Sequence, residues 1–198
     1  MRQVTQAQVV ATLGSVGVRP EDGLLVHSAL HFLGLPAGGV EIYYHAICAV
    51  LDGDHFVGEQ LNQGTLAVPA FNFGFARGEP YDPAATPSVG MGAFSEYVRQ
   101  LPQAQRTPHP MQSLVVIGRH AVDLAARDTP SAFDAGSAFE RMLELDFKLL
   151  LLGADIQATA MLHYCEQRAR VPYRYWKDFS GQVNAPQGWQ TRTYRMFA

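Results

Sequence analysis

Continuous apolar runs are the feature that most constrains how this chain can fold. Residues 147–154, FKLLLLGA, show no polar–apolar alternation, which is typical of a strand in a sheet covered on both faces. Shorter buried strands are predicted at residues 23–30, 64–73 and 113–118. Helical spacing is found between and around these runs, at residues 5–18, 37–53, 91–102, 119–127, 137–146 and 159–170. This alternation predicts an α/β or α+β domain with a central sheet.

Length and composition narrow the class of protein. The 198 residues suit one domain, 1–198, and 47% hydrophobic residues can build a core. A net charge of −3 gives no reason to expect nucleic acid or an anionic membrane as partner. No apolar run reaches the roughly 20 residues of a membrane helix, and no signal peptide is recognisable, so we expect a cytoplasmic protein. Cys48 and Cys165 are predicted to be reduced and buried.

Several common site motifs are missing from the sequence. There is no GxGxxG, no GxxxxGK[ST] and no GxSxG. His27 and His31 are four residues apart but lack the glutamate of HExxH, so no metal is expected. A metal-dependent hydrolase that uses His27, His31 and His109 is kept as a minor alternative.

One histidine–glutamate pair has the spacing of a proton-transfer site. His163 and Glu166 are three apart in a predicted helix and share its face. An imidazole titrates near neutrality and can accept a proton from an attacking amine, while a carboxylate can orient the ring. The competing interpretation is a structural histidine, with Glu166 paired to Arg170 one turn later. His109, between two prolines, and Asp82, in a loop rich in glycine and proline, could equally be turn residues.

Three segments, taken in order, resemble conserved blocks of the aminoglycoside 3-N-acetyltransferase family. They are P-x-D-P-x-x-T-P-S-x-x-M-G at residues 80–92, R-T-P-H-P-x-x-S at 106–113 and L-H-Y-x-E at 162–166. The strands LLVHSALHFLG, GTLAVPAF and FKLLLLGA fit the same order, so the resemblance runs from about residue 23 to residue 174.

This resemblance implies transfer of an acetyl group from acetyl-coenzyme A to a small-molecule amine, by direct attack without an acyl-enzyme. It implies an α/β domain with a central mixed sheet flanked by helices, distinct from the common acetyltransferase superfamily. His163 would be the general base, Glu166 its support, and His109 a neighbour of the reaction centre. Asp82 would meet the acceptor, and Ser28 or Thr107 the developing oxyanion. The residues expected at the coenzyme are His27, Ser28, Ala29, Leu30, Gly34, Arg106, Thr107 and Ser113.

Two departures from the family pattern leave the acceptor open. Residues 53–63 look like extra material, and we expect that a C-terminal portion of the domain is missing. The basic and aromatic segment at residues 171–179 does not suggest a pocket for a polyamine. A nucleotide-linked amino sugar of surface polysaccharide synthesis is therefore an alternative acceptor. A non-catalytic coenzyme-binding remnant is an alternative function, and a homodimer is left open.

Overall fold

A computed structural model describes residues 3–55 and 60–198, so residues 56–59 of the expected insertion lie outside the described residues. The strands are β1 (Gln3–Val4), β2 (Gly23–Ser28), β3 (Leu35–Pro36), β4 (Thr65–Pro69), β5 (Gln105–Arg106), β6 (Leu114–Gly118), β7 (Lys148–Leu152), β8 (Trp176–Ala185) and β9 (Gly188–Phe197). The helices are α1 (Gln6–Ser15), α2 (Glu41–Asp52), α3 (Gly92–Arg99), α4 (Ala121–Ala125), α5 (Ala138–Glu144) and α6 (Met161–Ala169).

Five strands form one mixed sheet in the order β5-β6-β4-β2-β7. β2 pairs in parallel with both β4 and β7, whereas β6 is antiparallel to β4 and β5. The predicted α/β class and central mixed sheet are confirmed. The carboxyl ends of β2 and β7 lie side by side, which is where open α/β sheets usually bind ligands.

Helices cover both faces of the central strands β2, β4 and β6, but the prediction from residues 147–154 is wrong for β7, which is an edge strand with Leu149 40% exposed. Leu24 and Val26 of β2 pack into a core with α1, α2 and α3, while Leu25 faces a second core with α5 and α6. Alternate residues of β4 and β6 divide between the two cores in the same way, because side chains alternate across a strand. The sheet is therefore the middle of three layers, and α6 lies on the face opposite α1.

The last two strands form a separate antiparallel hairpin paired from Trp176–Phe197 to Ala185–Gly188. Residues 171–179, VPYRYWKDF, and 191–198, TRTYRMFA, predict two later strands here but not their ten-residue length or their mutual pairing. A small third core fastens the hairpin to the domain and includes Phe75, Tyr81 and Tyr194. The backbone of Tyr81 adds hydrogen bonds to Gln182 and Asn184 of β8.

The described residues bear on two further expectations, one about a membrane-spanning helix and one about the cysteines. No helix in residues 3–55 and 60–198 has the length and apolar character needed to cross a bilayer. Cys48 is buried in α2, but Cys165 is exposed, so the prediction of two buried cysteines is wrong for Cys165. Residue 165 lies on the outer side of α6, where helical periodicity turns it away from the core residue Tyr164.

Candidate active site

His163 and Glu166 meet on α6 as their spacing predicted. His163 Nδ1 lies 2.8 Å from Oε2 of Glu166, and the two side chains are 37% and 11% exposed. The ring of Phe133 packs near the imidazole, with 6.0 Å between ring centroids. The histidine is thus held on one side by a carboxylate and still reaches solvent on another.

Glu166 is the centre of this group of side chains. Tyr173 donates a hydrogen bond to Oε1 at 3.1 Å, and Arg174 Nε forms an ion pair with Oε2 at 2.8 Å. Burial opposes ionisation of the carboxyl, but hydrogen bonds from His163, Arg174 and Tyr173 hold its pKa below the usual value. Glu166 is therefore a carboxylate at neutral pH. The alternative pairing of Glu166 with Arg170 is wrong, because Arg174 takes that place.

A sharp turn at the end of α6 brings Tyr173 and Arg174 back to Glu166. Arg170 closes the helix in the left-handed region, with φ 49° and ψ 49°. The amide of Val171 then donates to the Glu166 carbonyl, a reversal that helices usually make with glycine. Sequence reasoning missed Tyr173 and Arg174, since no helical spacing connects them to Glu166. The only signal was a run of basic and aromatic residues directly after the helix.

The tautomer of His163 determines what its ring can do. Both Glu166 Oε2 and Arg174 Nη2 approach the same nitrogen, Nδ1, the latter at 3.1 Å. A carboxylate only accepts hydrogen bonds and a guanidinium only donates them, so Nδ1 carries a proton when it serves Glu166 and a lone pair when it serves Arg174. In the tautomer that serves Glu166, Nε2 carries the lone pair and can take a proton from a substrate.

The residues expected at the coenzyme divide into two groups. The first group lies at or just beyond the carboxyl end of β2 and consists of His27, Ser28, Ala29, Leu30 and Gly34. Ser28 and Ala29 contact Leu152, the last residue of β7, and Ser28 also pairs with Gly153, which follows it. The His27 ring is buried, and its Nε2 accepts a hydrogen bond from the Ala160 amide at the start of α6, at 3.4 Å. Burial lowers the pKa of His27 to about 4, so the ring is neutral near pH 7. His27 thus links this strand end to the helix that carries His163.

Ser28 is the most informative member of this first group. Its Oγ is buried and has no hydrogen-bond partner within the described part of the chain. Gly92, the first residue of α3, comes so close that an added Cβ would lie 3.2 Å from the Ser28 carbonyl oxygen and 3.6 Å from its Oγ. A buried hydroxyl without a partner costs free energy, so this position suits a ligand that supplies one.

Arg106, Thr107 and Ser113 form the second group, and their polar atoms are already used inside the protein. Arg106 donates to Ser113 Oγ at 2.9 Å, to the Ala70 carbonyl at 2.5 Å and to the Thr86 carbonyl. Thr107 Oγ1 accepts from the Leu114 amide, and Ser113 Oγ donates to Ala70. These contacts fasten the loop before α3 to the edge of the sheet. Arg106, Thr107 and Ser113 therefore have a structural role in supporting that loop.

His109 is also occupied by internal contacts. It is buried, its Nδ1 accepts from the Gln112 amide at 3.1 Å, and its Nε2 lies 3.4 Å from the Arg195 carbonyl oxygen. The Tyr194 ring stands edge-on at 5.1 Å, and burial lowers the pKa of His109 to about 4. These partners belong to its own turn and to β9, so His109 fastens the hairpin and is not among the groups that contact His163.

Asp82 is likewise a turn residue in this structure. Its Oδ1 accepts from the Ala84 amide at 2.8 Å, and its Oδ2 accepts from the Asn184 side chain at 3.0 Å. The Asn184 hydrogen bond, opposed by burial, contributes most to holding the pKa of the Asp82 carboxyl below its usual value. The carboxylate therefore joins its loop to β8, which favours the turn interpretation over contact with the acceptor.

We call His163, Glu166, Tyr173 and Arg174 the His163 cluster. A cavity of about 680 Å³ opens beside it. Phe133, which packs near the imidazole, and Arg174, which contacts both His163 and Glu166, line it. Within residues 3–55 and 60–198, no three histidine, cysteine, aspartate or glutamate side chains are grouped so that they could hold a metal ion. The chemistry available at this site is proton transfer and charge stabilisation by side chains.

Comparison with known proteins shows the family to which the chain belongs. Residues 25–197 match the family model described as aminoglycoside 3-N-acetyltransferase. The chain belongs to that family. An aminoglycoside N(3)-acetyltransferase III from Salmonella sp is 30% identical over 203 residues, covering 94% of this chain and 70% of that protein.

Solved structures show the same fold. AAC-IIIb in a binary complex with CoASH superimposes with a TM-score of 0.85 at 23% identity, over 100% of this chain and 77% of the other. The apoenzyme of the aminoglycoside acetyltransferase AAC(3)-IVa gives a TM-score of 0.80 at 25% identity, over 100% and 72% of the two chains. Members of this family thus share the sheet and the covering helices described above.

Proposed function

We propose that this protein is an acetyl-coenzyme A-dependent N-acetyltransferase acting on an amine of an aminoglycoside or another amino sugar. The observation that supports this most is the contact between His163 Nδ1 and Glu166, in a chain that belongs to an acyltransferase family. CoASH is bound in one related structure, which supports coenzyme A as the acyl carrier. We retain the prediction of a cytoplasmic location within this proposal, and a homodimer stays open.

The His163 cluster would act on the acceptor. Nε2 takes a proton from the amine as its nitrogen attacks the thioester carbonyl carbon. The nitrogen–carbon bond forms, the carbon–sulfur bond breaks, and the protonated imidazole returns its proton to the sulfur, which leaves as the thiol. The positive charge on the imidazole is stabilised by Glu166, which Tyr173 and Arg174 hold in place. A base positioned in this way contributes roughly 10²- to 10⁴-fold to the rate.

The coenzyme would bind at the carboxyl end of β2, where Ser28 Oγ needs a partner. Ser28 also remains the candidate for the developing oxyanion, whereas the Thr107 hydroxyl is already engaged by Leu114. His27 would keep the start of α6 next to this strand end, so that the thioester and His163 approach each other.

Release of free thiol from acetyl-coenzyme A tests the proposal. The protein should release thiol with at least one aminoglycoside or amino sugar, and His163→Ala should lower kcat by roughly 10²-fold or more. His55→Ala, an exposed histidine with no place in this cluster, is the matched control and should keep the rate. No thiol release with any amine would leave the non-catalytic alternative standing, and full activity of His163→Ala would refute the base.

A further inference from the structure

The cavity beside His163 has a lining that does not suit a polycation. Arg168, Arg170 and Arg174 all line it, together with the aromatic side chains of Phe133, Trp176 and Phe197. Its one acidic side chain, Asp134, already accepts hydrogen bonds from Gln167 Nε2 at 2.8 Å and from the Ser131 amide at 2.9 Å. Positive charge therefore dominates the walls.

The three arginines differ in how far their charge is already neutralised. Arg174 is paired with Glu166, whereas Arg168 lies 3.7 Å from Glu140 and 5.9 Å from the centroid of the Tyr164 ring, with its side chain 56% exposed. Arg170 is exposed, and its side chain has no ion pair or hydrogen bond to any residue in the described ranges. The guanidinium groups of Arg168 and Arg170 thus have N–H donors left for a ligand. The paired N–H donors of a guanidinium match the oxygens of a phosphate or a carboxylate well.

The backbone at Arg170 adds to this argument. A left-handed conformation costs a residue with a side chain roughly 1–2 kcal/mol, and glycine usually occupies such helix ends. Arg170 adopts it with φ 49°, because the reversal there returns Tyr173 and Arg174 to Glu166. Its side chain is left on the cavity wall and has no partner among the described residues, so its guanidinium is open to a ligand.

The position of the cavity separates it from the expected coenzyme site. Ala160, which His27 contacts at the strand end, directly precedes helix α6, and the last turn of the helix carries Arg168 into the cavity wall. His163 lies one turn from the start, between these two ends. The carboxyl end of β2 would thus bind the thioester, and the cavity would bind the acceptor.

We infer that this cavity binds an amino-sugar acceptor carrying an anionic group, such as a phosphate, rather than a polycationic aminoglycoside. This inference rests on the proposed function, because it names the substrate class of that same site. The amine would lie at His163, the anion would pair with Arg168 and Arg170, and the sugar face would pack on the aromatic side chains. Nearby guanidinium groups would also favour the unprotonated, nucleophilic form of the amine.

A matched pair of acceptors tests the inference through thiol release. Glucosamine and glucosamine 6-phosphate present the same amine and differ by the phosphate. The phosphorylated sugar should have a kcat/KM about tenfold or more higher, since hydrogen bonds between charged groups are strong. Arg170→Gln should lower this ratio several-fold, whereas Arg77→Gln, an exposed arginine paired with Glu79 on the surface, should keep it. Preference for sisomicin over glucosamine 6-phosphate, or a ratio unchanged in Arg170→Gln, would overturn the inference.

A binding measurement keeps the two proposals distinguishable. The chain has two tryptophans, so Trp189→Phe leaves Trp176 in the cavity wall as the one indole to report on binding. Glucosamine 6-phosphate should change its fluorescence saturably, and Arg170→Gln should weaken that binding about tenfold. If no amine is acetylated but this binding occurs, the proposed function fails and the anion site stands. A response to adenosine 3′,5′-bisphosphate alone would assign the cavity to the coenzyme and refute the acceptor.

Discussion

Replacement of Glu166 by glutamine is the most discriminating change that the His163 cluster offers. The amide keeps the shape and one oxygen acceptor but removes the charge that faces His163 Nδ1 and Arg174, both at 2.8 Å. Removing one partner of a buried ion pair costs about 3–5 kcal/mol, and the 24% exposure of Arg174 reduces this to about 2–3 kcal/mol. For a chain of this size that loss lowers Tm by about 5–10 °C.

Activity should fall for a separate reason. Without the carboxylate, the protonated His163 loses its counter-charge, and the Arg174 guanidinium, 3.1 Å from Nδ1, can act as the donor to that nitrogen. The ring would then hold its proton on Nε2 and could not accept another from the amine. Replacing the carboxylate that orients a catalytic histidine lowers kcat by roughly 10²-fold or more in comparable sites. Steady-state thiol release, with urea unfolding of the same samples, measures both effects.

The pH dependence of stability gives an internal check. The folded pKa of Glu166 is held below its ordinary value of 4.5, so the carboxylate contributes stability above that pH. This contribution is lost as pH falls from 4.5 through the lower folded pKa, and the difference between Glu166→Gln and the parent should narrow there. Glu79→Gln, a carboxylate 60% exposed, should change stability by less than about 0.5 kcal/mol. Normal turnover in Glu166→Gln, or a stability difference that stays constant in acid, would refute the reasoning.

Two further predictions concern buried and exposed side chains. Because burial lowers the pKa of His27 and His109 to about 4, the unfolded chain binds more protons between pH 6.5 and 4. The free energy of unfolding should therefore fall across that window by up to about 3 kcal/mol per histidine. Urea titrations at several pH values should show a smaller fall in His109→Gln. An equally steep fall in this variant would contradict the prediction. Cys165 is exposed, whereas burial raises the pKa of Cys48 to about 12, so a disulfide reagent should modify one thiol rapidly and the second only after unfolding. Two rapidly reacting thiols in the native protein would be the wrong result.

The fold could be predicted from the sequence because its signals are local. Apolar runs such as residues 65–69 and 114–118 indicate strands covered on both faces, and the order of strands and helices then selects the α/β class. Residues 148–152 have the same pattern but form an edge strand, because an apolar run alone does not distinguish a central strand from an edge strand. The mutual pairing of β8 and β9 over ten residues could not be predicted in this way. Only Val183 and Tyr194 of its side chains are buried, so the apolar pattern that marks a core strand is weak there.

The same division applies to the candidate site. His163 and Glu166 are one helical turn apart, and helix geometry alone predicts their contact. Arg106, Thr107, Ser113 and His109 stood out as chemically capable side chains, yet their partners are distant in sequence and include Ala70 and Arg195. Residue type shows what a group can do, but only the tertiary structure shows whether its hydrogen bonds are already taken.

Arg174 shows why the acceptor and the base cannot be considered separately. It contacts Glu166 and His163 and also lines the cavity, and it does so because the chain reverses at Arg170. An anion that drew the guanidinium towards the cavity would relieve Nδ1 of a competing donor and favour the tautomer that leaves Nε2 free. A polycation would repel the same guanidinium and press it against the imidazole. The charge of the acceptor should therefore affect kcat as well as KM, and kcat for glucosamine 6-phosphate should exceed kcat for glucosamine.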